Sequence, residues 1–393
     1  MPLKPDTLAL TALLALMTAL GPLSTDMYLP SLPAIARALS ASEAEMQLTL
    51  SVFLVGMAIG VIGYGPLSDR YGRRPVLLAA AGLFALTSLA CMAARSIETL
   101  IALRFFQAVG AVGPVVTARA IVRDLYEGPR AGQELARMGS IMGLVPAIAP
   151  IAGGVLHDAF GWQANFALMA LLGLAIVAAA LTALPETAAY RQRAPLTPAE
   201  MWRIYRMLAR NADFRRYTLY TAIFYGCIFS FISSSSFILQ DLAGLTPLAY
   251  GFSFTSVVLG YITGTLAGRR MVGRIGIDRT IAWGVAALAL GGAGTLAATE
   301  MFGISMATIL PATAVVFIGA GLALPQAMAG AMTPFPERAG SASSLLGFFQ
   351  MTGAALLGVA VGHGLGASAR PLTFALAALA VAAAALYAGS RRS

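Results

Sequence analysis

Charged residues are scarce in this sequence. Asp, Glu, Lys and Arg account for 11% of the 393 residues, whereas 58% are hydrophobic. A soluble globular domain carries about 25% charged residues. The composition therefore excludes a soluble domain and predicts a chain that lies in a lipid bilayer.

Cysteine and histidine are almost absent, with two of each. Cys91 and Cys227 lie in apolar stretches, which excludes the disulfide framework typical of small secreted domains. His157 and His363 have no ligand-type residue three or four positions further on, so they lack the spacing of a metal site. We expect neither a bound metal nor a cofactor.

Catalytic motifs are missing as well. The sequence has no H-E-x-x-H, no G-x-S-x-G and no pair of acids within its apolar stretches. An intramembrane enzyme would need such a group of residues. The sequence therefore predicts that the protein is not an enzyme.

What the sequence does have is a series of long apolar runs. An α-helix needs about 20 largely apolar residues to span a bilayer. The strands of a membrane β-barrel would instead be alternating segments of about ten residues, and none is found. We predict an all-α membrane protein with twelve transmembrane helices, at residues 8–29, 46–67, 75–94, 97–118, 138–156, 159–184, 217–240, 243–267, 280–299, 302–333, 339–362 and 371–389.

Basic residues fall almost entirely in the loops on one side of these predicted helices. Only Arg37, Arg95 and Arg370 lie in loops on the other side. Because cytoplasmic loops hold the excess of Lys and Arg, both termini are predicted to be cytoplasmic. The net charge of +9 raises nucleic-acid binding as an alternative, but its one-sided distribution favours membrane topology. The first apolar run is too long for a signal-peptide core, so we expect it to remain as a membrane helix.

One long polar segment divides the twelve runs into six and six. We therefore predict an N-terminal six-helix bundle at 1–184, a cytoplasmic linker at 185–216 and a C-terminal six-helix bundle at 217–393. The linker is expected to contain an amphipathic helix capped by Thr197, and the alternative is a solvated tether. Its apolar residues recur at helical spacing, at Met201, Ile204, Tyr205 and Leu208.

The two halves of the sequence resemble each other after a shift of 204 residues. Internal repeats are typical of transporters, whose binding site lies between the repeats near the middle of the bilayer. Glycines in such a repeat have a second interpretation, since small residues let membrane helices pack closely. The matching residues are Gly56, Gly60, Arg70 and Gly72 with Gly260, Gly264, Arg274 and Gly276.

One acid, Asp26, lies inside the first apolar run, in the stretch STDMYLP. An acid in a membrane helix is expensive to insert and indicates function by default. Arg104, in the fourth run, lies about 10 Å below the membrane surface at 1.5 Å per residue from Ile97. The two residues are at comparable depth, so a pair or a water-bridged network between them is feasible. The alternatives are a helix-end acid that reaches the outer water and a purely structural arginine.

The loop after the second run reads GPLSDRYGRRP, from Gly65 to Pro75. It resembles the cytoplasmic loop signature of the major facilitator superfamily, G-x-L-x-D-R-x-G-R-R. The resemblance implies two six-helix bundles related by pseudo-symmetry, which alternately open a central site to each side. The alternative is that these arginines only follow the charge asymmetry of the loops. The resemblance also implies a cytoplasmic latch between the bundles, formed by Gly65, Asp69, Arg70, Gly72, Arg73, Arg74 and Asp124.

Further stretches resemble the drug:proton antiporters of this superfamily, and among them the bicyclomycin-resistance and chloramphenicol-efflux branch. They are STDMYLPSLP, RFFQAVGA, VPAIAPIAGG and AGSASSLLGFFQ. The third is similar to the antiporter motif G-P-x-x-G-G, with Ala149 in place of the first glycine. Its Pro146 and Pro150 would bend the helix, and Gly153 and Gly154 would let the halves pack closely. The alternative is a kinked helix with a packing role only.

This resemblance implies proton-coupled export of small amphipathic drugs of the chloramphenicol or bicyclomycin type. Asp26, Arg104 and Gln107 would couple transport to protons, so that the proton gradient takes the place of a cofactor. Thr18 stands where some multidrug exporters carry a second acid, which favours neutral or weakly charged substrates. Candidates for an apolar substrate pocket are Tyr28, Gln47, Asn165, Phe224, Tyr225, Phe229, Tyr261, Phe349 and Gln350.

The partners expected from the resemblance are drug molecules, protons and the bilayer of a bacterial inner membrane. We expect a monomer that binds no nucleic acid. A second hypothesis is an exporter of a native small metabolite, such as a sugar or an amino acid, with incidental drug efflux. Sugar sites usually need several Asn, Gln or acidic residues within the membrane helices, and this sequence has few there. A receptor or scaffold would leave the loop signature and Asp26 unexplained.

Overall fold

The computed structural model describes residues 7–126, 128–187, 198–335, 338–364 and 368–390. Within these ranges every regular element is helical. The α-helices in chain order are α1 (Leu8–Asp26), α2 (Leu32–Ala38), α3 (Glu43–Tyr71), α4 (Arg73–Met92), α5 (Ile97–Leu125), α6 (Gly128–Phe160), α7 (Gln163–Thr182), α8 (Pro198–Arg210), α9 (Ala212–Phe237), α10 (Pro247–Ile275), α11 (Ile277–Phe302), α12 (Met306–Met332), α13 (Ala339–Gly364) and α14 (Arg370–Ser390).

The long helices account for the predicted membrane crossings. Eleven helical segments of the described residues are long and apolar enough to cross a membrane. The remaining long helix, α10, has 29 residues and corresponds to the eighth predicted crossing. It packs against α6 and α12. Its Gly260 and Gly264 are buried against α12 and are not exposed to lipid. The predicted all-α membrane fold is confirmed.

Many helices begin or end several residues away from the predicted bounds, and two of these ends lie in irregular turns. Helix α1 ends at Asp26 and not at residue 29, because Pro30 has no N–H group to donate to the Asp26 carbonyl oxygen. The chain continues as a 3₁₀ turn, Leu29–Ser31, before α2 begins. Helix α9 likewise ends in a π-helical turn, Ile238–Leu242. Both irregular turns lie at the same end of the bundle.

Glycines hold the second and fourth long helices together in both parts of the chain. A Cβ atom on Gly56 would lie 2.7 Å from a backbone oxygen of α5, and one on Gly260 would lie 2.7 Å from a backbone oxygen of α12. The following connections also match, since Gly72 (φ +101°) and Gly276 (φ +80°) both end a helix. This positive φ favours glycine. The residues that match at a shift of 204 therefore occupy equivalent places in the fold.

We call α1–α7 the N-terminal half and α9–α14 the C-terminal half. Helix α8 lies within the predicted linker and packs on α9 and α13. Its Leu208 is buried, whereas Arg203, Arg206 and Arg210 are exposed, as an amphipathic helix requires. The N-cap predicted at Thr197 lies outside the described residues.

The two ends of the bundle differ in charge. One end holds the α3–α4, α5–α6 and α10–α11 connections, the start of α1 and the end of α14, and we call it the arginine-rich end. The other end holds α2 and the α9–α10 connection, and we call it the opposite end. Arginines in or beside the three connections of the first end are Arg70, Arg73, Arg74, Arg123, Arg274 and Arg279.

Candidate functional site

Asp26 is the last residue of α1 and is only 3% exposed. The hydroxyl of Thr25 donates a hydrogen bond of 2.9 Å to its Oδ1 atom. Asp26 also lies close enough to Tyr225 of α9 and Tyr250 of α10 to interact with them electrostatically. The acid of the N-terminal half therefore lies within electrostatic range of two tyrosines of the C-terminal half.

Arg104 of α5 is completely buried inside the N-terminal half. Its guanidinium carbon lies 4.6 Å from the ring centroid of Tyr28 and 4.3 Å from that of Phe53. Its Nη1 atom donates a hydrogen bond of 2.6 Å to Gln107 Oε1, and Gln107 Nε2 donates one of 2.7 Å to Ser88 Oγ. The cation is thus held by two aromatic faces and one amide, all on the same half.

Asp26 and Arg104 form no ion pair within 4.0 Å in this state, so the feasible pair of the sequence analysis is not made. The guanidinium of Arg104 lies against the rings of Tyr28 and Phe53 and binds Gln107, and these contacts take the place of an ion pair with Asp26. The Nε and Nη2 atoms of Arg104 have no hydrogen-bond partner among the described residues. A buried polar group without a partner costs free energy, so these two donors are unsatisfied by protein groups in this state.

The two halves lie in close contact at the opposite end. A Cβ atom on Gly154 of α6 would lie 2.8 Å from the Pro247 carbonyl oxygen, and one on Gly251 of α10 would lie 2.7 Å from the Pro150 carbonyl oxygen. Gly153 packs instead on the backbone of Met27, beside Asp26. These glycines therefore let α6 lie directly against both α1 and α10.

Hydrogen bonds across the interface accompany this contact at the opposite end. Ser236 Oγ donates a hydrogen bond of 2.6 Å to the carbonyl oxygen of Leu29, and Gln240 Nε2 donates one of 3.1 Å to the carbonyl oxygen of Pro30. Thr255 Oγ1 of α10 donates 2.7 Å to the Ala147 carbonyl oxygen of α6. Sequence reasoning missed Ser236, Gln240 and Thr255, although the run of four serines at 233–236 inside an apolar helix was a signal.

An ion pair also joins the halves at the opposite end. Arg37 Nη1 lies 3.2 Å from Asp241 Oδ1, with the two side chains 70% and 38% exposed. His157 and Asn165 both bind Ser31, at 2.9 Å each, and so fix the 3₁₀ turn on the N-terminal half. The turn at Leu29–Ser31 is therefore held by side chains from both halves.

The arginine-rich end has a different arrangement, centred on Arg73. Its guanidinium pairs with Asp69 and also with Asp124, where Nε lies 2.9 Å from Oδ2. Glu186 accepts the backbone N–H groups of Arg73 and Arg74, at 2.8 and 3.2 Å. Its carboxylate thus caps α4 at the end where acids are favourable. Sequence reasoning missed Glu186, whose position directly after the sixth predicted helix was the available signal.

The other residues of the predicted latch lie around this cluster. Arg74 donates to the Ala180 and Leu181 carbonyl oxygens at the end of α7, at 2.8 and 2.7 Å. The absence of a side chain at Gly72 leaves room for the Glu186 carboxylate, which a Cβ atom would contact. Arg70 lies over the ring of Tyr71, and Gly65 has no neighbour within 4 Å of a built Cβ atom.

The hydrogen bonds and ion pairs of Arg73 described above stay within one half in this state. Arg73, Asp69, Asp124 and Glu186 all belong to the N-terminal half or its last residues. Between described residues, the hydrogen bonds and ion pairs that link the halves lie at the opposite end. The latch implied between the bundles is therefore a latch within one bundle here, because the halves are closed together at the other end.

The predicted pocket residues fall into two groups. Tyr28, Gln47, Asn165, Phe224 and Phe229 are at most 1% exposed, so they line no open cavity in this state. Closure of the opposite end buries Gln47, which packs on Gly362 of α13 in the other half, whereas Phe229 packs on Gly358 within its own half. The partly accessible group is Tyr225, Tyr261, Phe349 and Gln350.

Comparison with known proteins identifies the family. Residues 14–358 match the family model described as Major Facilitator Superfamily. The chain belongs to this superfamily. It is accordingly a multi-pass membrane transporter of small molecules and not an enzyme.

Relatives of this superfamily member include resistance proteins. The uncharacterized MFS-type transporter YdgK of Bacillus subtilis is 34% identical over 352 residues, which cover 89% of this chain and 87% of that protein. The chloramphenicol resistance protein of Pseudomonas aeruginosa is 31% identical, covering 86% and 80%. The bicyclomycin resistance protein homolog of Haemophilus influenzae is 29% identical, covering 94% and 92%. The branch named in the sequence analysis is thus confirmed as a similarity.

Solved structures show the same fold at low sequence identity. A bacterial homolog of the human lysosomal transporter Spinster matches with a TM-score of 0.77 and 16% identity, over 99% of this chain and 98% of the other. A peptide transporter of the POT type matches with a TM-score of 0.78 and 14% identity, over 98% and 93%. The transporter fold is common to all three chains.

Proposed function

We propose that this protein exports small, neutral or weakly charged amphipathic drugs across a bacterial inner membrane in exchange for protons. The arginine-rich end would face the cytosol, as the excess of basic loops requires, and both termini would be cytoplasmic. In the state described above, the side towards the periplasm is then closed. Relatives named for chloramphenicol and bicyclomycin resistance support the substrate class.

The observation that carries the proton part of this proposal is the position of Asp26. A buried acid on one half faces tyrosines of the other half, so its surroundings change whenever the halves move. Burial favours the protonated carboxyl, whereas water or a nearby cation favours the carboxylate. Asp26 would take up a proton when it is open to the periplasm and release it towards the cytosol as drug binds.

Arg104 and Gln107 have a supporting part in this mechanism. The free Nε and Nη2 donors of Arg104 are available for a carboxylate or water in another state. Its attraction would lower the proton affinity of Asp26 if the two approach during the cycle. Tyr28 stacks on Arg104 and stands two residues after Asp26, so a movement of this turn changes both groups together.

Drug-driven proton movement in inverted membrane vesicles tests the proposal. An acid interior is established, chloramphenicol is added outside, and proton release is followed with a pH-sensitive dye for the native protein and for Asp26→Asn. We expect release for the native protein and none for the variant. Drug-for-drug exchange, which needs no proton, should survive in Asp26→Asn.

The matched control is Asp158→Asn, an exposed acid at the same end of the bundle, which should couple normally. If Asp26→Asn releases protons as the native protein does, the acid has no coupling role. If neither protein moves chloramphenicol or protons but both exchange a sugar or an amino acid, the substrate is a native metabolite.

A further inference from the structure

The closed opposite end contains a first set of polar groups that bind across the interface. Ser236 and Gln240 of the C-terminal half donate to the carbonyl oxygens of Leu29 and Pro30 of the N-terminal half. Gln240 Nε2 also donates a hydrogen bond of 2.7 Å to Ser236 Oγ, so the two side chains are linked to each other. Separating the halves at this end breaks both bonds to the 3₁₀ turn.

The backbone of α9 places this unit. Gln240 lies in the π-helical turn Ile238–Leu242, one turn after Ser236. Turns of this kind are rare and frequently occur at functional sites. Here the turn sets the amide of Gln240 beside the 3₁₀ turn Leu29–Ser31 of the other half, so two irregular backbone segments meet at the interface.

A second set of polar groups at the same end has no partners. The amide oxygen and nitrogen of Gln47 and the hydroxyl of Ser51 are buried on α3 without a hydrogen-bond partner among the described residues. They face α13 of the other half, where Gly362 packs on Gln47 and Gly358 on Ser51. When the halves part at this end, water reaches these groups and satisfies them. Closure therefore costs free energy at Gln47 and Ser51.

The 3₁₀ turn connects the two sets. Tyr28, which directly precedes it, exchanges a hydrogen bond of 3.0 Å with Thr49. Thr49 stands between Gln47 and Ser51 on α3. Leu29 lies three residues after Asp26. We call Ser236 and Gln240 the bridging pair, and Gln47 and Ser51 the unpartnered pair. A movement of this turn would therefore change the surroundings of both pairs and of Asp26.

We propose that Ser236, Gln240, Gln47 and Ser51 form a gate at the opposite end. The two pairs have opposite effects on the stability of the closed state, and together they set the equilibrium between the states that are closed and open at this end. The bridging pair stabilises the state that is closed at the opposite end. The unpartnered pair destabilises that same state. The proposal requires only the alternating access of a superfamily transporter and stands independently of the drug and of the proton.

The proposal predicts opposite effects for substitutions in the two pairs, and distances between spin labels can measure these effects. Labels at Glu98 and Met301, exposed residues of different halves at the opposite end, report whether this end is open. The native Cys91 and Cys227 are buried and stay unlabelled. Gln240→Leu and Ser236→Ala should each raise the ratio of open to closed molecules, by about 2- to 10-fold for the loss of one hydrogen bond.

Ser51→Ala and Gln47→Leu should lower the same ratio, by about 5-fold or more for the removal of a buried unpartnered group. They are best measured in the Gln240→Leu background, where both states are populated. The control is Ser233→Ala, because the hydroxyl of Ser233 binds the Ser230 carbonyl oxygen within its own helix and its loss should leave the label distances unchanged.

A thermal unfolding measurement in detergent separates the gate from a general loss of stability. Simple destabilisation would lower the midpoint for every variant and would not move the label distances in opposite directions. The proposal is overturned if the two pairs shift the open-to-closed ratio in the same direction, or if neither pair shifts it. The label measurement uses no drug and no proton gradient. A result that overturns the gate would therefore not bear on the proposed transport reaction, which the vesicle experiment tests.

Discussion

The two ends of the bundle hold their polar groups in different ways. At the opposite end, hydroxyls and an amide bind backbone carbonyl oxygens of the other half. At the arginine-rich end, Arg73 and its acids bind within one half. Neutral hydrogen bonds contribute about 0.5–1.5 kcal/mol each, whereas hydrogen bonds to charged groups contribute about 1.5–3 kcal/mol. The contacts between the halves are thus neutral hydrogen bonds and one exposed ion pair, whereas the less exposed pair Arg73–Asp124 lies within one half.

The largest expected effect follows from a Cβ atom at the crossing of α6 and α10. Gly154→Ala and Gly251→Ala each place a methyl group less than 3 Å from backbone atoms of the other half. The added methyl group fits only if the halves separate. Overpacking of about 1–3 kcal/mol should therefore raise the ratio of open to closed molecules, read from the Glu98–Met301 label distances, by about 5- to 150-fold. Drug transport should fall by a similar factor.

Gly143→Ala is the matched control for this experiment, since a Cβ atom at Gly143 of α6 has no neighbour within 4 Å. Alanine favours a helix over glycine by about 1 kcal/mol. This variant should therefore transport normally and unfold at an equal or higher temperature. Equal label distances in Gly154→Ala and the native protein would show that the crossing is not tight.

A smaller effect of a different kind is expected at the arginine-rich end. Arg73→Ala removes the partner of Asp69 and Asp124 and should lower the stability of the protein by about 2 kcal/mol. Because the cluster lies within one half, the label distances at the opposite end should stay close to native. Thermal unfolding and the label measurement check the two statements together.

Arg70→Ala is the control for Arg73→Ala. Arg70 belongs to the same loop signature but lies over the ring of Tyr71 at 5.2 Å, on an exposed surface. Its loss should change the unfolding temperature little. A large movement of the labels in Arg73→Ala would mean that the cluster also acts between the halves in this state.

The smallest effect is expected for the exposed pair Arg37–Asp241. The pair joins the halves, but its side chains are 70% and 38% exposed. Arg37→Gln should therefore raise the open-to-closed ratio by no more than about 2-fold at low salt. The change should vanish in about 1 M salt, where screening acts over about 3 Å. Arg37→Lys should behave like the native protein, and an effect that persists in high salt would contradict an electrostatic origin.

The sequence predicted those parts of the molecule that depend on local patterns. Apolar runs located the membrane helices, and the loop signature brought together Arg73, Asp69 and Asp124. The repeat of Gly56 and Gly260 located equivalent close contacts between neighbouring helices. Each of these features leaves a residue type at a fixed spacing, so it can be recognised before the fold is known.

The contacts between the halves could not be predicted in the same way. Ser236 and Gln240 bind carbonyl oxygens, which every residue carries, so the accepting side leaves no trace in the sequence. The separation of Asp26 from Arg104 likewise depends on which rings surround the guanidinium. Depth along the helix was estimated from the rise per residue, but the direction of each side chain is decided by the packing of distant segments.

The pairing of Arg37 with Asp241 has a consequence for how such a molecule assembles. The two residues are 204 positions apart, the same shift that superposes the glycines of the repeat. They are therefore counterparts, and two copies of one half would bring two arginines or two aspartates together at this place. Like charges at this place would therefore favour the pairing of unlike halves over like ones, by a factor as small as that expected for so exposed a pair.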